Sequence, residues 1–374
     1  MLRAGEQRCD LPFLKRELVF SDPAYAGDGG REMAVLVTGG AGYIGSHMVW
    51  SLLDGGEAVV VLDSLSTGFR WAVAPEARFY FGDVGDRALL QRVFAENEID
   101  SVVHFAGSAV VPESVASPLA YYENNTANTR TLIAATVEAG IRHFVFSSTA
   151  AVYGTQDTPD PVSETAALRP QSPYGRSKLM SEMMLQDAAA AHDFRFVALR
   201  YFNVAGADPL GRAGQSTFGA THLIKVACEA ALGRRRKIDV LGTDYPTADG
   251  TGVRDYIHVS DLVAAHRSAL AFLRAGGEPL VANCGYGHGF SVLQVLDTVR
   301  QVSGRDFMVD YAPRRPGDPA QIVADPSVAR LKLDWVPTHA SLEHIVRSAF
   351  DWESHLSRKN SFDEEQDERL IANG

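Results

Sequence analysis

The stretch Ala34-Val35-Leu36-Val37-Thr38-Gly39-Gly40-Ala41-Gly42-Tyr43-Ile44-Gly45-Ser46 decides the fold. An apolar strand runs directly into glycines spaced three residues apart, and a helical pattern follows as far as Leu53. A second apolar strand covers residues 58–62 and ends at Asp63. The order of strand, glycine-rich turn, helix and strand is typical of a parallel βαβ unit whose first turn binds phosphate.

The three spaced glycines, Gly39, Gly42 and Gly45, indicate a dinucleotide ligand. Without side chains, the backbone can approach a pyrophosphate that lies on the positive end of the helix. Asp63 follows Gly45 by 18 residues, where a carboxylate can bond the adenosine ribose. Because an acid there would repel the extra phosphate of NADP, the sequence predicts NAD binding. The alternative explanation of the glycines is a tight structural turn.

Apolar segments alternate with helical patterns further along the chain, at residues 78–81, 101–105, 144–148 and 196–201. This alternation predicts an α/β fold with a doubly wound parallel sheet of the Rossmann type. Asp83 could accept the adenine amino group or could cap the next helix. Asn125 is a candidate cofactor contact or a structural amide, and His104 is expected in the core.

The chemistry is expected between Phe144 and Lys178. A strand there ends in the hydroxyls Ser147-Ser148-Thr149, and Ser172-Pro173 favours the start of a helix with Tyr174 in its first turn. Lys178 lies four residues after Tyr174, so the two side chains share one face. A nearby ammonium and a helix N-terminus both favour the phenolate, which could act as a base. The alternative is a surface tyrosine beside a solvated lysine.

Composition excludes several classes of protein. The chain has 374 residues, is 46% hydrophobic and 22% charged, and carries a net charge of −11. This acidity argues against nucleic-acid or anionic-membrane binding, and no apolar run reaches the length of a membrane span. The three cysteines have no paired spacing, so we expect no disulfide and no metal site, which fits the reducing cytoplasm.

Both ends of the chain differ from its middle. Residues 1–32 mix charges with Asp, Pro and Gly and lack the apolar core of a signal peptide, so we expect a disordered extension, or a natural start at Met33. From about Ser357 the chain is polar and acidic and is expected to form a disordered tail, and residues 353–374 as a whole are assigned to a polar C-terminal tail.

Several ordered motifs between Ala34 and Trp352 carry a family resemblance. They are the glycine turn, the hydroxyl run before Val152-Tyr153-Gly154, Tyr174-x-x-x-Lys178, His104-Phe105-Ala106-Gly107, Pro118–Asn125, Arg200-Tyr201-Phe202-Asn203, Asp244-Tyr245-Pro246-Thr247, Arg254-Asp255-Tyr256-Ile257-His258-Val259 and Pro313-Arg314-Arg315-Pro316-Gly317-Asp318. In these the chain resembles the extended short-chain dehydrogenase/reductase superfamily, and within it the NAD-dependent epimerase/dehydratase family.

The resemblance implies an organisation into two parts. Residues 33–203 would form the NAD-binding domain, with residues 254–284 returning to its sheet. Residues 204–253 and 285–352 would form a smaller α/β substrate-binding lobe.

The resemblance also implies a set of site residues. Those expected at NAD are Gly39, Gly42, Tyr43, Ile44, Gly45, Asp63, Asp83, Val84, Phe105, Ala106, Asn125, Ser147, Tyr174, Lys178 and Tyr201. Those expected at a nucleotide-sugar substrate are Thr149, Asn203, His222, Leu223, Arg254, Arg315, Asp318 and Ile322. The two arginines would grip the diphosphate, because a planar guanidinium can bond phosphate oxygens through two donors.

The pair Ala150-Ala151 separates the reactions of the family. Nucleotide-sugar dehydratases carry an Asp-Glu pair here, and alanine can neither protonate a departing hydroxyl nor remove a proton. The resemblance then implies oxidation at carbon 4, rotation of the 4-keto sugar and reduction on its other face. UDP-glucose and UDP-galactose would be interconverted by a cytoplasmic homodimer of galactose metabolism. Tyr174 would be the base and acid, Lys178 would tune it, and Thr149 would relay or orient the proton.

Other functions stay open at this point. The chain could be a UDP-glucuronate or UDP-pentose 4-epimerase, a decarboxylase, or a non-catalytic NAD-sensing regulator. The Ala150-Ala151 pair argues against the decarboxylase, and the retained Tyr174 and Lys178 argue against the regulator. Two departures from relatives are Thr149 in place of serine and Ala109 where some relatives carry a lysine.

Overall fold

The structure is a computed structural model that describes residues 33–156, 158–315 and 317–356. The extension predicted for residues 1–32 lies outside the described residues, as does the part of the predicted tail from residue 357 onward. The strands in chain order are β1 Ala34–Thr38, β2 Ala58–Asp63, β3 Arg78–Phe81, β4 Ile99–His104, β5 His143–Thr149, β6 Arg195–Tyr201, β7 Asn203–Ala205, β8 Ile238–Leu241, β9 Val253–His258, β10 Leu280–Cys284, β11 Gly289–Ser291, β12 Val309–Ala312 and β13 Gln321–Ile322.

The helices alternate with these strands. They are α1 Tyr43–Asp54, α2 Arg87–Glu96, α3 Val111–Ala116, α4 Pro118–Tyr121, α5 Asn128–Glu138, α6 Pro173–Ala191, α7 Leu223–Ala231, α8 Val259–Arg274, α9 Val292–Ser303 and α10 Ser327–Lys332. A π-helical turn, Tyr122–Ala127, joins α4 to α5, and residues 342–356 form a further helix. Within the described part of the chain, no helix combines the length and hydrophobicity that a bilayer crossing requires.

A seven-stranded sheet organises the first half, in the order β10-β6-β5-β4-β1-β2-β3, and every pair in it is parallel. Strand β1 is buried on both faces, as expected for a central parallel strand made of apolar residues. Val35 and Val37 pack into one core cluster, whereas Ala34 and Leu36 pack into another. Helices therefore cover both sides of the sheet, and the prediction of a doubly wound parallel sheet is confirmed.

The direction of winding reverses between β1 and β4, which are neighbours although two strands separate them along the chain. At such a switch point, the loops after the two strands diverge and leave a crevice at the carboxyl ends. The glycine turn after β1 and the segment 105–110 after β4 both lie at this position. The topology thus fixes where a nucleotide can bind.

The expected return of residues 254–284 to this sheet needs a correction. Helix α8 packs against α1, β5 and β6, and β10 pairs with β6, but β9 pairs instead with β7, β11 and β13 in a second sheet. In the folded chain the open edge of β6 is occupied by β10. The β9 strand pairs with β7, which continues the chain beyond Phe202.

The predicted start of the tail at residue 353 is wrong. Residues 342–356 are helical, and the Glu353 side chain is buried. The Glu353 carboxylate accepts hydrogen bonds from Lys225 and Arg234 of the lobe, and Trp352 and Leu356 are also buried. The charge of Glu353 suggested a solvated end, but the folded chain pairs it internally.

We expect the fold to lose stability steeply as the pH falls from 7 to 5.5. Burial lowers the pKa of four histidines, to about 4 for His47 and His266 and to about 3 for His104 and His258. Their unfolded pKa is about 6.5, so in this window the unfolded chain takes up protons that the folded chain does not. The contribution of these histidines to stability is therefore complete above the unfolded pKa and falls below it, by roughly 1 kcal/mol for each histidine and by several kcal/mol for the four together over this window.

Urea unfolding curves at pH 7.0, 6.5, 6.0 and 5.5 measure this dependence. Replacing the exposed His192 with Gln is the matched control and should leave the slope unchanged. His266→Gln should reduce the slope of the unfolding free energy against pH by the amount that corresponds to about one proton. A free energy of unfolding that stays constant across the window would contradict the interpretation.

Candidate active site

A cleft of about 900 Å³ opens at the carboxyl ends of the seven-stranded sheet. It extends from the glycine turn, past the end of β5 and the start of α6, to the segment around Asp318 in the second half of the chain. The elements on its walls come from both halves of the sequence. The structure thus brings most of the residues singled out from the sequence to one place.

The glycine turn packs so closely against its own chain that side chains are excluded at two of its positions. Gly39 has a φ of +73°, and a Cβ built there would lie 2.5 Å from the backbone nitrogen of Ala106. A Cβ on Gly45 would lie 2.0 Å from the carbonyl oxygen of Gly39. Side chains at these positions would push the turn, α1 and the loop after β4 apart. The amide end of α1 faces the cleft through Gly42, Tyr43 and Ile44.

Asp63 ends β2 on the cleft wall with its carboxylate held by the backbone. Its Oδ2 accepts from the Ala41 amide at 2.8 Å, and its Oδ1 accepts from the Leu65 amide at 2.7 Å. Burial raises the pKa of Asp63, and the two amides offset part of that rise. Each oxygen has a second lone pair for a ribose hydroxyl, so the geometry fits the adenosine half of NAD.

Asp83 and Val84 line the cleft after β3. Asp83 Oδ1 accepts from the Gly85 amide at 2.7 Å and from Asn128 Nδ2 at 2.8 Å. The cap of the next helix is Asp86, whose side chain accepts from the Leu89 amide. Asp83 therefore does not have the capping role considered as its alternative, and its Oδ2 is directed to no described donor.

Asn125 has a structural role that the sequence left open. Its side-chain Oδ1 accepts from the Ser108 amide at 2.7 Å, and its Nδ2 donates to the Ser108 carbonyl and to Ser177 Oγ. Asn125 itself is not on the cleft wall; Phe105, Ala106 and its neighbour Asn124 are. It lies in the π-helical turn, which holds the loop after β4 against α6. His104 is buried between Thr38 and Thr129, as expected for a core residue.

The start of α6 places Tyr174 beside Thr149. Ser172 Oγ accepts from the Gly175 amide at 3.1 Å, and Pro173 is the first helical residue, as the sequence predicted. Burial raises the pKa of Tyr174, and a hydrogen bond with the Thr149 hydroxyl opposes that rise. The sequence argument considered only the groups that stabilise a phenolate and missed the opposing effect of burial.

Lys178 lies one turn further along α6 and is almost completely buried. Its Nζ donates to the Ser147 carbonyl at 3.0 Å and lies 4.9 Å from the centre of the Phe146 ring. Burial lowers its pKa to about 8, against the nearby carboxylate of Glu182, which raises it. Ser147 Oγ in turn bonds the hydroxyl of Tyr201 at 2.6 Å, and both residues line the cleft.

The residues expected at the substrate come mainly from the second half of the chain. Asn203, His222, Arg254, Arg315, Asp318 and Ile322 line the cleft. Leu223 does not; it lines a small adjoining cavity that shares Asn203 and His222 with the cleft. The two arginines thus face the same space, where their charges can neutralise a diphosphate.

The structure adds cleft residues that sequence reasoning missed. They are Ser64, Ser66, Thr67 and Gly68 after β2, Ser108, Val110, Val111 and Glu113 after β4, Gln171 before α6, and Gln215, Thr217, Ala220 and Thr221 before α7. Most of these residues follow the end of a strand, and this position in the sequence could have indicated that they line the cleft. The polar run 64–68 directly after Asp63 could have been singled out on this ground.

Three histidines also meet away from the cleft. The ring nitrogens of His258, His339 and His344 lie within 4.8 Å of one another. They are already engaged: His258 Nδ1 accepts from the Ser260 amide, its Nε2 bonds Ser348, and His339 Nδ1 bonds His344 Nε2 at 2.9 Å. Protein hydrogen bonds therefore account for this cluster.

The chain is similar to a family of known proteins over most of its length. Residues 35–285 match the model of the NAD dependent epimerase/dehydratase family. The chain is 56% identical over 324 residues to the UDP-glucose 4-epimerase of Azospirillum brasilense, a match that covers 87% of this chain and 93% of that protein.

Two solved structures share the fold over nearly their whole length. The UDP-glucose 4-epimerase of Brucella ovis in complex with NAD has a TM-score of 0.83 and 43% identity, covering 85% of this chain and 98% of that one. The UDP-Glc/GlcNAc 4-epimerase of Campylobacter jejuni has a TM-score of 0.76 and 47% identity, covering 86% and 99%. The motifs, the topology and these similarities agree: the chain belongs to the NAD dependent epimerase/dehydratase family.

Proposed function

We propose that this NAD-dependent enzyme interconverts UDP-glucose and UDP-galactose by inverting carbon 4 of the sugar. The observation that carries the proposal is that Tyr174 and Thr149 line the cleft that also contains the glycine turn, with Lys178 one turn below. Bound NAD supplies the acceptor for the hydride of carbon 4 and the source of its return. The similarity to UDP-glucose 4-epimerases over most of the chain supports this substrate pair.

The proton steps belong to the side chains. The Tyr174 oxygen takes the proton of the 4-hydroxyl as the carbon–hydrogen bond of carbon 4 breaks, and the ketone forms. The Thr149 hydroxyl orients the sugar hydroxyl and keeps its bond to Tyr174. When hydride returns to the other face, Tyr174 gives the proton back to the new hydroxyl. A positioned acid–base group of this kind contributes about 10²–10⁴-fold to the rate.

Inversion requires the sugar to turn while its nucleotide stays anchored. Arg254 and Arg315 would hold the diphosphate, and Asp318 would hold the uridine ribose. These anchors lie on segments of the lobe, whereas Tyr174 lies on the nucleotide half. A 4-keto sugar attached only through its diphosphate can therefore present either face to the same hydride source.

The wall beside Thr149 argues against dehydration. Ala150 and Ala151 line the cleft, and neither carries a proton-transfer group. Glu113, the one glutamate on the described cleft wall, accepts a hydrogen bond from the Tyr121 hydroxyl at 2.8 Å. Epimerisation needs no second acid–base pair, which agrees with this wall.

We further propose that the enzyme acts as a homodimer in the cytoplasm. Met180 and Met183 are exposed on α6, with exposed fractions of 43% and 56%, as expected of a helix that a second copy covers. Cys228 and Cys284 are buried and unpaired, which suits a reducing compartment. Light scattering coupled to gel filtration tests the dimer, and Met183→Lys should shift it towards monomer.

The activity is tested by incubating purified protein with UDP-galactose and separating the products. Formation of UDP-glucose without net consumption of NAD supports the proposal. UDP-glucuronate and UDP-xylose are the comparison substrates, and faster turnover of either would replace UDP-galactose as the substrate assignment.

Tyr174→Phe should retain bound NAD and lose about 10²–10⁴-fold in kcat, because only the proton carrier is removed. The amount of UDP-glucose formed in reactions quenched at fixed times gives kcat. The absorbance of the cofactor that is released on denaturation gives the NAD content. Tyr311→Phe, at an exposed tyrosine far along the chain, is the matched control and should behave as wild type. A Tyr174→Phe rate within a few-fold of wild type would remove Tyr174 as the base.

The width of the hexose pocket should depend on Ile322. This half-buried side chain lines the cleft and packs on the cluster of Ala150, Val152 and Phe202. An acetamido group would crowd it, and overpacking costs about 1–3 kcal/mol. We expect N-acetylhexosamine substrates to react about 10–100-fold less efficiently than UDP-glucose and UDP-galactose.

The catalytic efficiencies on the hexose pair and on the N-acetylhexosamine pair test whether Ile322 limits the pocket. Ile322→Ser should raise the efficiency on the N-acetyl pair, whereas Val336→Ser, at an exposed position, should not. Equal efficiencies on both pairs in wild type, or no gain in Ile322→Ser, would show that Ile322 does not limit the pocket.

A further inference from the structure

Three successive turns of α6 hold three successive residues at the end of β5. Tyr174 lies beside the Thr149 hydroxyl, Lys178 Nζ donates to the Ser147 carbonyl, and Glu182 Oε1 accepts from Ser148 Oγ at 2.5 Å. Residues spaced by four share one helix face, so this face carries a base, a cation and an anion in line. Glu182 has no part in the proton steps described above.

Glu182 is buried and held by a paired cation. Its side chain is 1% exposed and its partner Arg200, on β6, is 4% exposed. Arg200 donates through Nε at 2.9 Å to one carboxylate oxygen and through a terminal nitrogen at 2.5 Å to the other. The same guanidinium also donates to the Tyr153 hydroxyl at 3.1 Å. Such a two-point contact leaves the carboxylate one orientation.

The orientation of the Glu182 carboxylate affects Lys178 through the charges that surround the lysine. The titratable groups that act on Lys178 or share its surroundings are Tyr174 and Glu182 on α6, His104 on β4 and Tyr201 on β6. His104 and Tyr201 are buried, and burial favours their neutral forms. Glu182 is the carboxylate among these groups, and its negative charge opposes part of the effect of burial on the ammonium, although the Arg200 cation paired with it weakens that effect.

We propose that Glu182 is a positioning residue whose carboxylate, held by Arg200 and Ser148, keeps Lys178 in its charged form beneath Tyr174. The inference rests on the proposed function, because that function gives the Lys178 charge its use. A neutral lysine would no longer favour the Tyr174 phenolate, and proton removal from the 4-hydroxyl would slow. The ion pair then does more than attach α6 to the sheet.

The ionisation of Lys178 is the quantity to measure. The lysine is charged at pH values below its pKa. If the pKa falls, the lysine therefore loses its charge at a lower pH. Glu182→Gln removes the carboxylate and should move both the Lys178 titration and the basic limb of kcat down by about one pH unit. Glu182→Asp keeps a carboxylate and should restore the wild-type position of both.

Two matched variants separate charge from attachment. Ser148→Ala removes one hydrogen bond to Glu182 but no charge, so kcat can fall while the basic limb stays in place. The double variant Glu182→Leu with Arg200→Met replaces the buried pair by apolar side chains, a change that buried pairs often tolerate. It provides a folded protein without the carboxylate if Glu182→Gln alone, which leaves Arg200 unpaired, does not fold.

Lys178 can be titrated without any turnover, by NMR of protein labelled with ¹³C at lysine Cε, with Lys178→Arg assigning the signal. A Lys178 titration that is unchanged in Glu182→Gln or in the double variant would overturn the proposal. If the titration moves as expected and the protein still shows no epimerase activity, the proposed function has failed while the electrostatic role of Glu182 stands.

Discussion

The contact between α6 and the end of β5 is the constraint on which the site depends. Helices on a parallel sheet usually meet it through apolar side chains, but α6 buries Tyr174, Lys178 and Glu182 at this contact. Each polar group needs a partner, because an unpaired buried polar group costs about 1–3 kcal/mol. The hydroxyl-rich end of β5 supplies those partners. The same polar groups therefore attach α6 to the sheet and form the candidate site.

The rest of the cleft is arranged around this contact. The π-helical turn brings Asn125 against the buried Ser177 of α6 and fixes the loop after β4. The Tyr43 hydroxyl donates to the Gly206 carbonyl at 2.7 Å and links the first turn of α1 to the chain beyond β7. These two contacts tie the loop after β4 to α6 and the first turn of α1 to the segment after β7.

Much of this could be predicted from the sequence. The strands and α1 follow from apolar periodicity, and the start of α6 follows from Ser172 and Pro173, because these signals are local. The pairing of β9 could not be predicted, since it depends on competition with β10 for one sheet edge. Glu182 and Glu353 look like solvated charges on helices, and only the folded chain shows the partners that bury them.

The place of β10 in the sheet has a consequence for biosynthesis. Its partner β6 ends at Tyr201, but β10 begins at Leu280, so residues 202–279 must leave the ribosome first. At translation rates of about 5–20 residues per second, the β6 edge waits roughly 4–16 s for its neighbour. Phe196, Val197 and Leu199 lie on that strand, and an unpaired apolar edge readily pairs with other chains. The order of strands therefore leaves an apolar strand edge exposed while the intervening residues are being synthesised.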